Sequence, residues 1–176
     1  KSCNLPVIST SMAEWFSGTG YMDSVLRQMH AAFDAAKAAA PCVLFFDEAD
    51  AIPNRANLDS RHIDYWSTII GALLERLSDA AAGHSRLVLI AATNHPGRLD
   101  SALVRPGRFG RIIEIGRPTA ADLEGILRQH LDGDLSDVDL GGVAAAGSGA
   151  TGAQATAWVK GARRLARLAS RPMEIG

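Results

Sequence analysis

Two continuous apolar runs, separated by an amphipathic helical pattern, constrain the fold of this chain more than any other feature of its sequence. Residues 42–46 and 87–92 contain no polar side chain, which is typical of strands that are buried on both faces. Residues 6–10 and 112–115 are predicted as two further strands. Apolar residues recur at helical spacing between them, as in Ile63, Trp66, Ile70, Leu73, Leu74 and Leu77. Strands that alternate with helices predict an α/β fold whose parallel sheet has helices on both faces.

The composition changes after Arg117-Pro118, and the rest of the chain is predicted to be helical. Thr119 with Asp122, and Thr151 with Gln154, have the spacing of capping boxes, in which two side chains at a helix start satisfy backbone N–H groups. A short helix is expected within residues 139–146. We therefore predict a large α/β domain over residues 1–117 and a small all-helical domain over residues 118–176.

Composition and charge exclude several classes of function. The chain has 176 residues, 18 Lys and Arg against 19 Asp and Glu, and a net charge of −1. This balance argues against general binding to nucleic acid or to anionic membranes. A basic stripe on the last predicted helix is interpreted as a solvated face; its residues are Lys160, Arg163, Arg164, Arg167 and Arg171. No apolar run reaches the roughly 18 residues of a membrane span.

The cysteines indicate the redox compartment of the protein, and the first residues bear on whether the sequence is part of a longer chain. Cys3 and Cys42 form neither a CxxC motif nor a disulfide framework, which favours a reducing compartment and argues against structural zinc. The sequence begins Lys1-Ser2, without methionine, and we expect it to be a piece of a longer protein.

The strongest chemical signal is a pair of carboxylates at the end of a predicted buried strand. Asp47 and Glu48 follow the apolar run 42–46, and ligands of α/β folds collect at the carboxyl ends of strands. Consecutive strand residues point to opposite faces, so the two carboxylates have different roles. One can orient Mg²⁺ and its waters while the other polarises an attacking water, which is the Walker B pattern. The alternative is an acidic helix cap.

Two further segments complete a possible site. Asn94 follows the second buried strand and could hold a water between itself and Glu48, although an isolated Asn after a strand is commonly a turn residue. Arg105 and Arg108 flank a Pro-Gly turn, where a rigidly presented guanidinium can neutralise charge on a transferring phosphoryl group. The alternative for the arginines is a solvated basic loop.

These three segments, in this order, resemble those of the AAA+ ATPases, in particular the AAA clade. The resemblance covers nearly the whole chain and identifies residues 45–50 as Walker B, 92–94 as sensor 1 and 105–109 as the arginine-finger segment. It implies a partial P-loop NTPase fold with a helical lid, ATP and Mg²⁺ as cofactors, and a hexamer. It also implies catalytic roles for Asp47, Glu48, Asn94, Arg105 and Arg108, and it places Asp47 at the metal. Residues 149–153 resemble the stretch that packs near the nucleotide in this family. This resemblance implies that Gly152 and Ala153 contact the nucleotide.

Within this clade the chain is most similar to the ATPase module of FtsH-type zinc metalloproteases. Trp15, Phe16 and Gly18 lie in a segment that resembles the central pore loop, an aromatic residue followed by Gly-x-Gly. The resemblance implies an unfoldase that threads protein substrates, without nucleic acid as a partner. It also implies a cytoplasmic location, or the cytoplasmic face of a membrane if the parent protein is anchored. The alternative is that Trp15 and Phe16 are core residues, although two adjacent aromatics among Ser and Gly make a poor core.

The chain departs from the family pattern in several places. His95 and Gly110 replace the usual Arg and Asp of their motifs, and the segment after Asp50 is one residue short. No Gly-rich loop ending in Gly-Lys-Ser/Thr is present, so the phosphate cradle called Walker A is missing. The family's first strand, which lies in the middle of the sheet, is missing with it, and we expect strand edges to be left unpaired. No His-Glu-x-x-His zinc site is present.

Two alternatives to a catalytic motor therefore remain open. The missing loop favours a non-catalytic assembly module that docks onto other AAA subunits, and this fragment alone is expected to be inactive. A nucleic-acid helicase is suggested by the literal Asp-Glu-Ala-Asp at residues 47–50, but a helicase motif of that kind does not predict the arginine segment or the helical domain.

Overall fold

The computed structural model describes residues 3–18, 21–82 and 85–169. The chain separates into two compact units, one formed by residues 1–113 and the other by residues 114–176. The sequence placed this division between residues 117 and 118. Among the residues named above, Lys1, Ser2 and Arg171 lie outside the described ranges, as does Gly20, the second glycine of the Gly-x-Gly pattern.

The first unit is built on a parallel sheet of three strands. These are β1 (Val7–Ser11), β2 (Cys42–Asp47) and β3 (Leu87–Ala91), in the order β1-β2-β3. The register pairs Ser11 with Asp47 and Phe46 with Ala91. Parallel strands all end at the same edge of a sheet, so the polar residues that follow β1, β2 and β3 are brought together there.

Two helices cover one face of this sheet. They are α1 (Met22–Ala38) and α2 (Ile63–Ala81), which pack against each other and against the strands. Alternate residues of β2 are fully buried against them, namely Cys42, Leu44 and Phe46. The same core contains Phe33 of α1 and Ile70 and Leu73 of α2.

The opposite face of the sheet is open in the described part of the chain. Val7 is 60% exposed, Val88 is 47% exposed and Ile90 is 44% exposed. Val7 and Val88 both pair with Val43, so their side chains project on the same side of the sheet. The fold is the predicted parallel α/β sheet with helices, and within the described residues of the first unit the helices pack on one face of the sheet.

The prediction of a strand at residues 112–115 is wrong. No strand is present there, and Ile112, Ile113 and Ile115 are 66%, 72% and 92% exposed. Residues 112–115 do not pair with β1, β2 or β3, and β1 and β3 are the two edges of the three-stranded sheet. The expectation that the missing central strand leaves strand edges unpaired stays a prediction, because any open sheet has two edge strands.

The second unit is helical. Its elements are α3 (Ala120–Leu131), α4 (Gly141–Ala146) and α5 (Gly152–Leu168), whose core includes Leu123, Leu127, Leu140 and Val159. Both predicted capping boxes are confirmed: Thr119 with Asp122 opens α3, and Thr151 with Gln154 opens α5. In the part of the chain that the structure describes, no helix combines the length and apolar character that crossing a membrane requires.

Candidate functional site

The two carboxylates of Asp47 and Glu48 lie at the carboxyl end of β2 and are exposed. Glu48 has a left-handed backbone conformation, with φ 52° and ψ 45°, which is uncommon for a residue other than glycine. The Oδ1 atom of Asp47 accepts a 2.8 Å hydrogen bond from the backbone N–H of Glu48. Residues with such strained backbone conformations cluster at functional sites.

Ser11 is a residue of this site that the sequence reasoning missed. It ends β1, and its hydroxyl donates a 2.8 Å hydrogen bond to Oε2 of Glu48. The contact follows from the parallel register, which pairs Ser11 with Asp47. A polar residue at the end of β1 was the available signal, because neighbouring parallel strands bring such residues together.

The segment after β3 is joined to the segment after β2. The Thr93 hydroxyl donates a 2.6 Å hydrogen bond to Oδ1 of Asp50, and this bond is the main cause that lowers the pKa of Asp50 below 3.8. The backbone N–H of Ala49 donates to the carbonyl of Ala92. Asn94 follows directly and is exposed at this edge of the sheet. The polar segments after β1, β2 and β3 therefore meet, as the topology requires.

The two arginines lie on a tight turn. The backbone N–H of Arg108 donates a 3.2 Å hydrogen bond to the carbonyl of Arg105, across Pro106 and Gly107. Gly107 has φ +82°, a conformation that glycine adopts without steric cost, and proline at the preceding position fits a type II turn. These four residues, with Ser78, Ala81 and Ala82 of the neighbouring helix end, line an open cleft of about 360 Å³.

An ion pair between the partly exposed Arg55 and the buried Asp100 precedes this turn and was also missed. Asp100 is 2% exposed and accepts hydrogen bonds from Nε and Nη2 of Arg55, at 2.8 and 3.1 Å. Burial by itself raises the pKa of Asp100, but the hydrogen bonds from Arg55 and from the backbone N–H of Ala102 outweigh it and lower the pKa from 3.8 to about 2. A carboxylate next to a serine in a loop gives no sequence signal of its burial.

The argument that adjacent aromatics make a poor core is wrong for Trp15. Trp15 is 2% exposed, and its indole Nε1 donates a 2.9 Å hydrogen bond to the Thr10 hydroxyl. This bond removes the cost of burying the indole N–H. Phe16 is half-buried, with its ring centroid 5.0 Å from that of Trp66. Gly18 is exposed two residues later.

Gly152 and Ala153 lie in the helical unit. They form the first turn of α5, directly after its N-cap residue Thr151. Gly152 is half-buried beside Ile126, and Ala153 is exposed. Their role as nucleotide contacts stays a prediction.

The residues of the first unit fit part of a nucleotide site. The exposed carboxylate of Asp47 is of the type that Mg²⁺ binds in proteins while it retains most of its waters. Within residues 3–18, 21–82 and 85–169, no three His, Cys, Asp or Glu side chains cluster as a complete metal site would require. The sequence contains no Gly-Lys-Ser/Thr loop to hold phosphates. The chain therefore has exposed carboxylates of the kind that can hold a metal and a water, but no Gly-Lys-Ser/Thr phosphate cradle.

Comparison with known proteins gives a consistent result. Residues 1–117 match the family described as ATPase family associated with various cellular activities (AAA). ATP-dependent zinc metalloprotease FtsH 3 of Synechocystis sp. is 38% identical over 151 residues, which are 84% of this chain and 23% of that protein. FtsH of Rhodococcus erythropolis is 38% identical over 84% of this chain and 17% of its own length. FTSH 1, chloroplastic, of Oryza sativa subsp. japonica is 39% identical over 82% of this chain and 21% of its own length. The chain thus spans about a fifth of the length of these relatives.

Proposed function

Because this chain belongs to the AAA family of ATPases, we propose that it is the ATP-hydrolysing module of a hexameric motor that unfolds proteins. The motor would be a longer polypeptide that resembles the ATP-dependent zinc metalloproteases, and it would thread protein substrates through a central pore. The phosphate loop that this chain lacks would come from that longer polypeptide.

The observation that carries the proposal is the placement of Glu48. Its carboxylate stands at the carboxyl end of a central parallel strand, in a strained backbone conformation and next to a second carboxylate. A carboxylate in that place can accept a proton from a water that attacks a phosphoryl group. Asp47 would hold the waters of Mg²⁺, and Asn94 would orient the attacking water. When bound, Mg²⁺ supplies charge neutralisation for the phosphates.

The turn that carries Arg105 and Arg108 would meet the nucleotide of a neighbouring subunit. Arg105 is exposed, and the turn that carries it is held rigidly, which suits contact with a group outside this chain. Gly152 and Ala153 would contact the nucleotide from the helical unit. Phe16, with Gly18 beside it, would grip the substrate; Trp15 supports this segment from the core.

Partners and location follow from the same proposal. The partners would be further copies of the chain and protein substrates, and nucleic acid is not expected. Arg163 of the basic stripe already pairs with Asp134, N to O 2.8 Å, which supports a structural use of that stripe. Cys3 and Cys42 are both free thiols, in keeping with the cytoplasm or the cytoplasmic face of a membrane.

A non-catalytic assembly module is the second candidate. The absence of a Gly-Lys-Ser/Thr loop favours it, because such a module does not need to bind phosphates. The catalytic proposal is favoured by the site residues that the chain retains, because an assembly module has no need of them. These residues are Asp47, Glu48, Asn94, Arg105 and Arg108.

The test is Glu48→Gln in the longer polypeptide, with Glu75→Gln on the exposed surface of α2 as the matched control. We expect Glu48→Gln to retain nucleotide binding and to lower kcat by about 10²–10⁴, as loss of a general base does. Asp47→Ala should weaken metal-dependent nucleotide binding instead. Absence of ATP hydrolysis in the wild-type polypeptide would support the assembly module, whereas turnover in Glu48→Gln equal to that of the wild type would contradict the role of Glu48.

A further inference from the structure

We infer that Arg108 and Asp100 are positioning residues that hold the turn, and that Arg105 alone is the guanidinium that this turn offers to a phosphate. The inference rests on the proposed function. It separates two arginines that the sequence treats as equivalent.

The side chain of Arg108 is already engaged within its own chain. Its Nη1 donates a 2.8 Å hydrogen bond to the carbonyl of Ala102, and its Nε donates a 3.3 Å hydrogen bond to the hydroxyl of Ser78 on α2. Arg108 is half-buried. If these N–H groups contacted a phosphate, both hydrogen bonds would break, and the Ala102 carbonyl would lose the donor that Arg108 provides.

Arg105 has the opposite setting. It is exposed, and among the described residues no hydrogen bond or ion pair holds its guanidinium. Its backbone is nevertheless fixed, since its carbonyl accepts the hydrogen bond that closes the turn. Because the guanidinium is unpaired among the described residues and the backbone that carries it is fixed, Arg105 can bind phosphate oxygens with little loss of conformational entropy.

Asp100 connects Arg108 to the segment that follows Asp47 and Glu48. Its Oδ1 accepts a 2.9 Å hydrogen bond from the backbone N–H of Ala102, while the Ala102 carbonyl accepts from Arg108. The same carboxylate binds the side chain of Arg55 and accepts a 3.2 Å hydrogen bond from its backbone N–H. Arg55, Asp100, Ala102 and Arg108 therefore form one continuous chain of hydrogen bonds.

The residue after Arg108 ties the turn to β2. The backbone N–H of Phe109 donates a 3.0 Å hydrogen bond to the carbonyl of Leu103, and its ring meets that of Phe46 edge-on with centroids 5.6 Å apart. Phe46 directly precedes Asp47 in the strand. The turn is thus fixed to the strand that bears the carboxylates, and Arg108 takes part in this attachment.

Two measurements test the inference. The first is ATP hydrolysis by the longer polypeptide, with Arg105→Ala, Arg108→Ala and the double variant. Loss of an arginine that acts across a subunit boundary costs roughly 10³-fold or more in kcat, which we expect for Arg105→Ala. Because Arg108 acts through Arg105, the double variant should be no slower than Arg105→Ala, and Arg108→Lys should restore most of the activity lost in Arg108→Ala. Arg105→Lys should restore little.

The second measurement is the urea midpoint of the 176-residue chain itself. Arg108→Ala and Asp100→Asn should lower the midpoint, whereas Arg105→Ala should leave it unchanged. A double variant much slower than either single variant, or equal midpoints for Arg105→Ala and Arg108→Ala, would overturn the inference. If the wild-type polypeptide did not hydrolyse ATP, the proposed function would fail, and the midpoints would still decide whether Arg108 holds the turn.

Discussion

The hydroxyl of Ser11 donates a 2.8 Å hydrogen bond to the carboxylate of Glu48, and so joins the ends of two neighbouring parallel strands. Ser11 also lies three residues before Glu14, the start of the short helix Glu14–Phe16 that contains Trp15 and Phe16. The backbone N–H of Glu14 donates a 3.4 Å hydrogen bond to the Ser11 hydroxyl. The Ser11 side chain therefore contacts both Glu48, the proposed general base, and the start of the segment that is proposed to grip the substrate.

Ser11→Ala should lower kcat in the longer polypeptide without loss of nucleotide binding. The carboxylate of Glu48 would lose a partner that restrains its orientation, but it would still be able to accept a proton. The fall in kcat should thus be smaller than the roughly 10²–10⁴ expected when a general base is removed by Glu48→Gln. Steady-state ATP hydrolysis of the two variants checks the order. Ser17→Ala, in the same segment, is the matched control and should leave kcat unchanged.

Trp15 and Phe16 should respond differently to truncation. Trp15→Ala removes a fully buried ring and its bond to Thr10, and should lower the free energy of unfolding by about 3–5 kcal/mol. Phe16→Ala removes a half-buried ring and should cost less. Urea unfolding of the chain measures both. In the longer polypeptide, Phe16→Ala should spare ATP hydrolysis and stop the unfolding of a protein substrate. Phe16→Tyr should retain much of both activities. If Phe16→Ala abolished the cooperative unfolding transition of the chain itself, Phe16 would be a core residue.

The Arg55–Asp100 pair should make the stability of the chain depend on acid pH. The folded pKa of Asp100, about 2, lies below the ordinary value of 3.8. A carboxylate with a lowered pKa contributes stability above its unfolded pKa, and that stability is lost as pH falls through the folded pKa. The shift corresponds to about 2 kcal/mol, lost between about pH 4 and pH 2. Urea unfolding across this range should show a loss about 2 kcal/mol larger in the wild type than in Asp100→Asn. Asp79→Asn on the exposed surface of α2 should behave like the wild type.

The 176-residue chain alone should bind Mg-ATP negligibly. Asp47 offers one metal ligand, but the sequence has no Gly-Lys-Ser/Thr loop to hold the phosphates. Titration calorimetry with Mg-ATP should give no saturable heat. A well-defined site of micromolar affinity would contradict this expectation and would require other residues of the chain to hold the phosphates.

Local patterns predicted the parts of the fold that neighbouring residues determine. The capping boxes at Thr119 and Thr151 need only four consecutive residues each, and both are present. The strands β2 and β3 were recognisable because short unbroken apolar runs favour strands, although Val88 and Ile90 on the open face of β3 are exposed. Asp47 and Glu48 were found for the same reason, since the end of such a run marks the edge of the sheet.

Features that depend on distant partners were not predictable in this way. The run at residues 112–115 has the composition of a strand, but it pairs with none of the three strands in the described part of the chain. Trp15 is buried because Thr10 and the core receive its indole, which the adjacent Ser and Gly residues do not reveal. Asp100 and Arg55 are 45 residues apart, and only the fold brings them together.

A mixture of two inactive subunits tests the central proposal, a site shared between copies of this chain. Glu48→Gln subunits lack the base but retain Arg105, and Arg105→Ala subunits retain the base but lack the arginine. When the two are mixed within one hexamer of the longer polypeptide, some interfaces combine an intact Glu48 with an intact Arg105. We predict that ATP hydrolysis by the mixture exceeds the sum of the two separate variants. Activity no greater than that sum, in hexamers shown to contain both subunits, would contradict the proposal.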